Sequence, residues 1–370
     1  MKPALRRLAG AAALAAVALS AVWGRPSSVL DDSQAIMLAP VPYSADRYAT
    51  DLAPFELTGA WEIRGDNSEL HSFSGLAVAP AGALIAVTDR GRYATFPRPG
   101  EKGRSSVQPL LMEFPWGAFS MGDAEALQVD PGTGRRWVAF EHHNSIMRVD
   151  PGTGQTHHIR PEAMQEWPSN SGAELMVRLD DGQFVVAAET RDDASSSSHP
   201  ALLFARAASS SSHPALLSAR AASSSSHPAL LFARDPVSGV APTPFRLLMP
   251  EDYRPVDAAL LPDGRVLVLG RTVSLPLAFS TVLAIADPAQ IRGGEAWHAT
   301  AVARLSGGPL SDNYEGIAVE RGAGGDAVVW LVSDNNQARF LQRSLLLRLR
   351  LSETDLRELR RPDDPGSKKP

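Results

Sequence analysis

Short apolar segments that open with an acidic or hydroxyl residue recur along this chain, and each is followed by a tight turn and a second apolar segment. Apolar runs of this length between turn residues are typical of β-strands. Strands that repeat every few tens of residues predict a β-propeller, in which equivalent strand ends converge on one central channel. The five copies open at Ser74, Glu125, Glu174, Asp257 and Glu315.

The spacing of the copies supports this interpretation and reveals one insertion. Equivalent positions are separated by 51, 48, 85 and 57 residues, counted between Leu76, Leu127, Leu175, Leu260 and Ile317. The long step contains a Ser-rich 14-residue unit that is present three times within residues 195–234, and removing two copies brings the step to 57. We interpret the triplication as a local duplication, in which one copy supplies a strand and the others form a surface loop.

Four strands can be counted in a complete copy. The fifth copy supplies three strands, and residues 57–63, which precede the first copy, would complete it and close the ring without an open sheet edge. The sequence therefore predicts an all-β propeller of five four-stranded blades, with six blades as the alternative if one copy is irregular. In the second copy the predicted strands are Ala124–Val129, Arg136–Phe140, Ser145–Val149 and Thr156–Ile159.

Composition agrees with a folded β protein and limits its partners. Gly and Pro each account for 29 of 370 residues, and 44% of the residues are hydrophobic. The net charge of −5, with both signs interspersed, gives no electrostatic basis for binding nucleic acid. Because cysteine is absent, disulfides and a lipid-modified amino-terminal cysteine are excluded.

The amino terminus predicts export. Lys2, Arg6 and Arg7 precede an apolar run that is rich in Ala and Leu and too short for a comfortable membrane span. We expect a periplasmic or secreted monomer with no membrane span in the mature chain. The predicted organisation is a signal peptide at 1–24, a linker or arm at 25–56, the propeller at 57–351 and a flexible tail at 352–370.

Carboxylates are expected to converge at one end of the channel, because the residues that open the inner strands meet those that end the second strands. Such carboxylates repel one another unless they are protonated, paired or bridged by a cation. A hard divalent ion suits all-oxygen ligands, calcium first and magnesium second. The structural alternative is neutralisation by arginine, as in the pairs Glu125–Arg90 and Glu315–Arg271. The second-strand set comprises Asp89-Arg90, Glu141-His142, Glu189, Arg271 and Asp334-Asn335.

Several spaced motifs resemble, in their order along the chain, those of the phytase-like family of secreted bacterial propellers, which is also described by an esterase-like activity of phytase. The resemblance covers about residues 57–351 and implies a propeller that hydrolyses phosphate or carboxylate esters. The motifs are residues 73–78 with 88–91, 123–127 with 140–141, 256–264, and 312–319 with 333–336 and 342–347.

If the chain is an enzyme, the converging carboxylates and the Arg and His residues beside them predict a metal-assisted hydrolysis of a small anionic ester. The ligands of calcium would be Glu125, Glu174, Glu315, Asp89 and Asp334. Arg90 and Arg271 would bind the anionic substrate, and His142 would transfer a proton. The chain has no G-x-S-x-G, H-E-x-x-H or P-loop motif, which disfavours a serine nucleophile, a zincin and a nucleotide triphosphatase.

Two alternatives remain open at this point. A non-catalytic periplasmic propeller that binds a ligand or a protein partner would neutralise each carboxylate with an arginine, whereas an enzyme would leave carboxylates unpaired at the channel mouth. A calcium-dependent propeller lactonase would need fewer cationic groups beside the metal than a phosphate-ester hydrolase. Arg90, Arg271 and Arg343 favour phosphate.

Overall fold

Five antiparallel sheets surround a central channel as the blades of a propeller. The computed structural model describes residues 32–110, 123–191, 224–250, 252–274, 278–291, 296–336 and 342–359. The predicted signal peptide and the first two copies of the triplicated unit lie outside these ranges. No helix within the described ranges has the length and apolar content needed to cross a membrane.

Within the described ranges the five sheets contain twenty-two strands, and two short α-helices flank them. The strands are β1 (Met37–Pro40), β2 (Glu56–Arg64), β3 (Phe73–Val78), β4 (Leu84–Thr88), β5 (Arg92–Phe96), β6 (Ser106–Pro109), β7 (Ala124–Val129), β8 (Arg136–Phe140), β9 (Ser145–Val149), β10 (Thr156–Ile159), β11 (Ala173–Arg178), β12 (Phe184–Ala188), β13 (Ser224–Phe232), β14 (Thr243–Pro250), β15 (Arg254–Leu260), β16 (Val266–Ser274), β17 (Ala278–Ala286), β18 (Ala296–His298), β19 (Thr300–Ser306), β20 (Asn313–Arg321), β21 (Ala327–Asp334) and β22 (Leu345–Leu351). The helices are α1 (Asp46–Leu52) and α2 (Glu353–Glu358).

The strand order within the sheets confirms five blades and excludes six. The first, second and fourth blades are β3 to β6, β7 to β10, and β15, β16, β17 and β19. The third is β11 to β14, with the short β18 added in parallel to β14. All four strands predicted for the second blade have the predicted bounds.

The ring closes as the sequence predicts. The fifth blade consists of β20, β21 and β22 and is completed by β2, which pairs antiparallel with β22. Each inner strand packs against the inner strands of both neighbouring blades, so that β3, β7, β11, β15 and β20 form a closed ring. The approach is close: a Cβ on Gly75 of β3 would lie 2.7 Å from the backbone nitrogen of Leu127 in β7.

Segments that precede and follow the propeller in the sequence pack onto the ring. β1 pairs with β2, and α1 buries Tyr48 and Leu52 in the core of the fourth and fifth blades. The first residues of the predicted tail form α2, whose Leu356 is buried in the same core. The Arg265 guanidinium donates hydrogen bonds to the Leu356 and Leu359 carbonyl oxygens, so α2 is docked on the propeller.

The third copy of the triplicated unit supplies β13, the third strand of the third blade. Its Phe232 is 1% exposed and lies opposite Phe184 of β12. The first copy has the same residue at its equivalent position, Phe204, whereas the second has Ser218. The prediction that a single copy fills one strand position is therefore in agreement with β13.

Deleting residues 195–222 should leave the fold intact and stabilise it slightly. The deletion keeps every residue of β13 and shortens the connection from β12 roughly fivefold, which lowers the loop-closure entropy by about 1 kcal/mol. Chemical denaturation followed by circular dichroism measures the free energy of unfolding. A loss of 2 kcal/mol or more would contradict this interpretation of the duplication.

Candidate functional site

A β-bulge at the start of the inner strand recurs in every blade. The register of the inner strand with its neighbour slips by one residue at the same place in all five sheets. A bulge leaves its extra residue outside the ladder and redirects the side chain. The bulged residues are Ser74, Glu125, Glu174, Val256 and Glu315.

The bulges bring four of the five opening residues of the sequence pattern to equivalent positions at one mouth of the channel. The fourth blade differs because its bulged residue is Val256, which is buried in the core, and Asp257 follows it. The ends of the second strands reach the same mouth, because they run antiparallel to the inner strands. They carry Asp89, Glu141, Glu189 and Asp334, while Arg271 lies near the end of β16.

Three carboxylates at this mouth lie close together. One oxygen from each of Asp123, Glu125 and Glu141 lies within 4.8 Å of the other two. Glu174 is hydrogen-bonded to Glu141, a contact that requires a proton between the two carboxyl groups. We define the acidic mouth as these residues together with Asp89, Glu189, Glu315 and Asp334.

The acidic mouth holds protons at neutral pH. Burial raises the pKa of Glu141 to about 7, and the neighbouring Asp123 adds to the rise. Burial likewise raises the pKa of Glu315 to about 7 and that of Asp334 to about 8. For Glu125 and Glu174, burial and the surrounding carboxylates raise the pKa well above the usual range. The charged form of the cluster is therefore poorly compensated by the protein itself.

The Arg271 guanidinium contacts two carboxylates of the acidic mouth. Nη2 of Arg271 lies 3.2 Å from a Glu315 carboxylate oxygen and donates to Glu189 at 3.3 Å, and its Nη1 donates to the Asn313 side-chain oxygen at 3.3 Å. The buried Nε of Arg271 has no hydrogen-bond acceptor within the described residues. Arg254 donates to the second oxygen of Glu189 at 3.2 Å.

The structure brings all five predicted metal ligands together. Glu125, Glu174, Glu315, Asp89 and Asp334 each lie close enough to another member of the set for their charges to interact. Asp89 also accepts a 2.6 Å hydrogen bond from the Ser74 hydroxyl, and burial raises its pKa.

The residues predicted to be catalytic have different positions. Arg271 is inside the acidic mouth and forms the predicted ion pair with Glu315. Arg90, for which an ion pair with Glu125 was predicted, is half-buried and follows Asp89 in the chain. His142 is exposed at the rim, where its backbone N–H donates to Asp123 and its ring packs edge-on against His143.

Asp257 has a structural position apart from the acidic mouth. It is fully buried, and its two carboxylate oxygens accept backbone N–H bonds from Ala258 at 2.8 Å and Ile317 of β20 at 2.9 Å. A third bond comes from Leu76 of β3. Burial raises the pKa of Asp257, and these N–H donors oppose the rise. Asp257 therefore links three inner strands, β15, β20 and β3.

Asp257→Asn should destabilise the propeller by about 3 kcal/mol. The amide NH2 would face a buried backbone N–H, so that two donors oppose each other and one loses its acceptor. Asp181→Asn is the matched control, because Asp181 also accepts a backbone N–H but lies in an exposed hairpin. Equal unfolding midpoints in urea for the two variants would contradict the role given to Asp257.

Sequence reasoning missed two members of the acidic mouth as ligands, Asp123 and Glu141. Asp123 precedes β7 and has φ of 49°, a left-handed backbone conformation that turns its side chain towards the cluster. Its place two residues before the bulged Glu125 matches Ser72, which precedes Ser74 and has φ of 55°. This repeated offset of two residues was the signal from which Asp123 could have been predicted.

The donor set fits a hard divalent cation. Among the described residues, the clustered ligand atoms are carboxylate oxygens of Asp123, Glu125 and Glu141, and they lie within 4.8 Å of one another. Calcium and magnesium take such ligands, and a cation would replace the protons that now separate the carboxylates. The arrangement can therefore bind a cation near the half-buried Arg271 guanidinium.

Comparison with known proteins gives one family and several distant structures. The model of the family described as "Phytase-like: Esterase-like activity of phytase" matches residues 68–337. No curated protein matches the sequence.

Among solved structures, the chain is similar to the PQQ-bound aldose sugar dehydrogenase of Streptomyces coelicolor, with 14% identity, 80% of this chain and 98% of that chain covered, and a TM-score of 0.42. The chain is also similar to the PQQ domain of pyranose dehydrogenase from Coprinopsis cinerea, with 12% identity, 84% of this chain and 98% of that chain covered, and a TM-score of 0.43. Hydrazine synthase of Kuenenia stuttgartiensis matches at 14% identity and a TM-score of 0.35, over 73% of this chain and only 58% of that chain.

Proposed function

The chain belongs to the phytase-like family, and on that premise we propose that its acidic mouth binds a divalent cation, calcium first and magnesium second, and hydrolyses a small anionic ester there. The observation that carries the proposal is the charge imbalance of the mouth. Arginine ion pairs of the mouth go to Glu189 and Glu315, whereas the buried Glu125 and Glu174 lie among further carboxylates that raise their pKa well above the usual range. A purely structural cluster would be neutralised by the protein itself.

The ligands we propose are Asp123, Glu125 and Glu141, together with Asp89, Glu174, Glu315 and Asp334. When bound, a hard cation polarises the phosphoryl or carbonyl group and lowers the pKa of an attacking water. Arg271 binds an anionic oxygen of the substrate through its Nε–H, the donor that has no acceptor within the described residues. This guanidinium favours a phosphate ester over a carboxylate ester or lactone.

Proton transfer is assigned to His142. Hydrolysis takes one proton from water and delivers one to the departing alcohol oxygen. The imidazole of His142, which follows the ligand Glu141 at the exposed rim, would accept the first proton and donate the second.

Turnover of para-nitrophenyl phosphate and para-nitrophenyl acetate by residues 25–370 tests this proposal. We expect hydrolysis with calcium, none after chelation, and a loss of roughly 100-fold or more in Glu315→Gln with an unchanged circular dichroism spectrum. Glu166→Gln, an exposed site, is the control and should retain full turnover. Turnover that survives both chelation and Glu315→Gln would overturn the proposal.

We propose further that the mature chain acts in the periplasm or outside the cell, because residues 1–24 have the charged and apolar regions of an export signal. Fractionation of cells that express the full chain should recover a processed form there.

A further inference from the structure

A buried serine and histidine face each other on β13, in the third copy of the triplicated unit. Ser225 and His227 are two residues apart and therefore lie on the same face of the strand. His227 is 0% exposed, and its Nε2 lies 3.0 Å from the Ser225 hydroxyl oxygen. Neither residue contributes to the acidic mouth directly.

His227 links three separate backbone segments. Its Nδ1 lies 3.1 Å from the Glu189 carbonyl oxygen and 3.0 Å from that of Thr190, at the end of β12. The Ser225 hydroxyl lies 3.0 Å from the Tyr253 carbonyl oxygen, just before β15, and its single hydrogen is shared between that oxygen and Nε2 of His227. Because carbonyl oxygens only accept, Nδ1 carries the proton, and burial lowers the pKa of His227 to about 4, which keeps the ring neutral.

The segments joined in this way carry the ion pairs of the acidic mouth. Glu189 accepts hydrogen bonds from Arg271 at 3.3 Å and from Arg254, the residue after Tyr253, at 3.2 Å. Arg271 also contacts Glu315. The backbone N–H groups of Glu189 and Thr190 donate to the Gly172 and Ser171 carbonyl oxygens, respectively, and His227 donates on the carbonyl side of both residues.

We propose that His227 is a positioning residue for the acidic mouth: its Nδ1–H fixes the backbone of Glu189, and the Glu189 carboxylate in turn orients the Arg271 guanidinium. The functional meaning of that orientation, binding of an anionic substrate oxygen, rests on the proposed function. The position of the Arg271 guanidinium does not rest on the proposed function. The positioning role of His227 and the proposed function can therefore be tested separately.

Two isosteric variants distinguish the two ring nitrogens. In His227→Asn the side-chain NH2 occupies the place of Nδ1 and keeps the bond to the Glu189 and Thr190 carbonyl oxygens. In His227→Gln the side-chain NH2 occupies the place of Nε2. This variant loses the bond to the Glu189 and Thr190 carbonyl oxygens and keeps the contact with Ser225. Both variants leave a smaller group in the same buried site, so a loss of stability alone does not separate them.

The first readout is the Nε–Hε signal of Arg271 in a nitrogen–proton correlation spectrum, assigned by its disappearance in Arg271→Lys. We expect the wild-type shift in His227→Asn and an altered shift with faster solvent exchange in His227→Gln. The Arg350 signal is the internal reference, since Arg350 pairs with Glu56 and Asp326 at the outer edge. An Arg271 signal that is unchanged in His227→Gln overturns the inference.

The second readout is the affinity for inorganic phosphate in saturating calcium, measured by calorimetry. His227→Gln should weaken it about 10-fold or more, and His227→Asn should retain it. Equal affinities in the two variants would also overturn the positioning role. If the wild-type protein binds no phosphate, the proposed function fails, and the Arg271 signal alone decides on His227.

Discussion

Replacing Glu125 and Glu174 together by glutamine is expected to stabilise the cation-free protein and to remove its response to calcium. Both carboxyl groups are buried, and each raises the pKa of the other, so their ionisation opposes folding. Glutamine keeps the volume and carries no charge. At pH 8 we expect the free energy of unfolding to rise by about 2 kcal/mol or more, roughly 5 °C in unfolding temperature.

Differential scanning calorimetry with chelator and then with calcium measures both effects. Glu162→Gln/Glu166→Gln is the matched control, because it makes the same two replacements at exposed positions. We expect the control to behave like the wild-type protein in both conditions. If the double variant of Glu125 and Glu174 is less stable than wild type in chelator, these carboxylates make favourable contacts in the native protein. That result would contradict their assignment to a cation site.

The stability of the cation-free protein is expected to fall as the pH rises from 6.5 to 8. Glu141 and Glu315 have a folded-state pKa of about 7 and Asp334 of about 8, all above the values of about 4 in an unfolded chain. In this window the folded state binds more protons than the unfolded state, so the free energy of unfolding decreases with pH. The loss should amount to several kcal/mol between pH 6.5 and 8.

Calcium should flatten this dependence, because a bound cation stabilises the ionised carboxylates and lowers their folded-state pKa. Unfolding temperatures at half-unit steps of pH, with chelator and with calcium, give the two curves. The window begins at 6.5 because His227, with a pKa of about 4, contributes the opposite slope at lower pH. Parallel curves with and without calcium would show that the titrating carboxylates are not the calcium ligands.

The blade architecture could be predicted because it depends on local pattern. Alternating apolar strands and Gly- and Pro-containing turns define the strands of the second blade, and the spare strand β2 had one unpaired edge to fill. The convergence of Glu125, Glu174 and Glu315 followed from their equivalent places in the repeat.

The rest of the site depends on contacts that no local pattern encodes. A bulge shifts the register of each inner strand by one residue. In the fourth blade Val256 therefore occupies the bulged position, and Asp257 is buried between the inner strands. Asp123 joins the cluster through a left-handed backbone conformation that few non-glycine residues adopt. The ring of His227 contacts the Glu189 carbonyl oxygen, and copies of the triplicated unit separate the two residues in the sequence. Their contact could therefore not be predicted from the spacing of the residues.

The central claim is that the acidic mouth is a cation site, and calcium titration of the chelator-treated protein at pH 8 tests it most directly. At a calcium concentration 100-fold above the dissociation constant, we predict a gain of about 3 kcal/mol in the free energy of unfolding, and its loss in Glu125→Gln. An unfolding temperature that calcium leaves unchanged would mean that the buried carboxylates are satisfied by protons and by the protein alone. The chain would then be a propeller whose acidic mouth binds no metal.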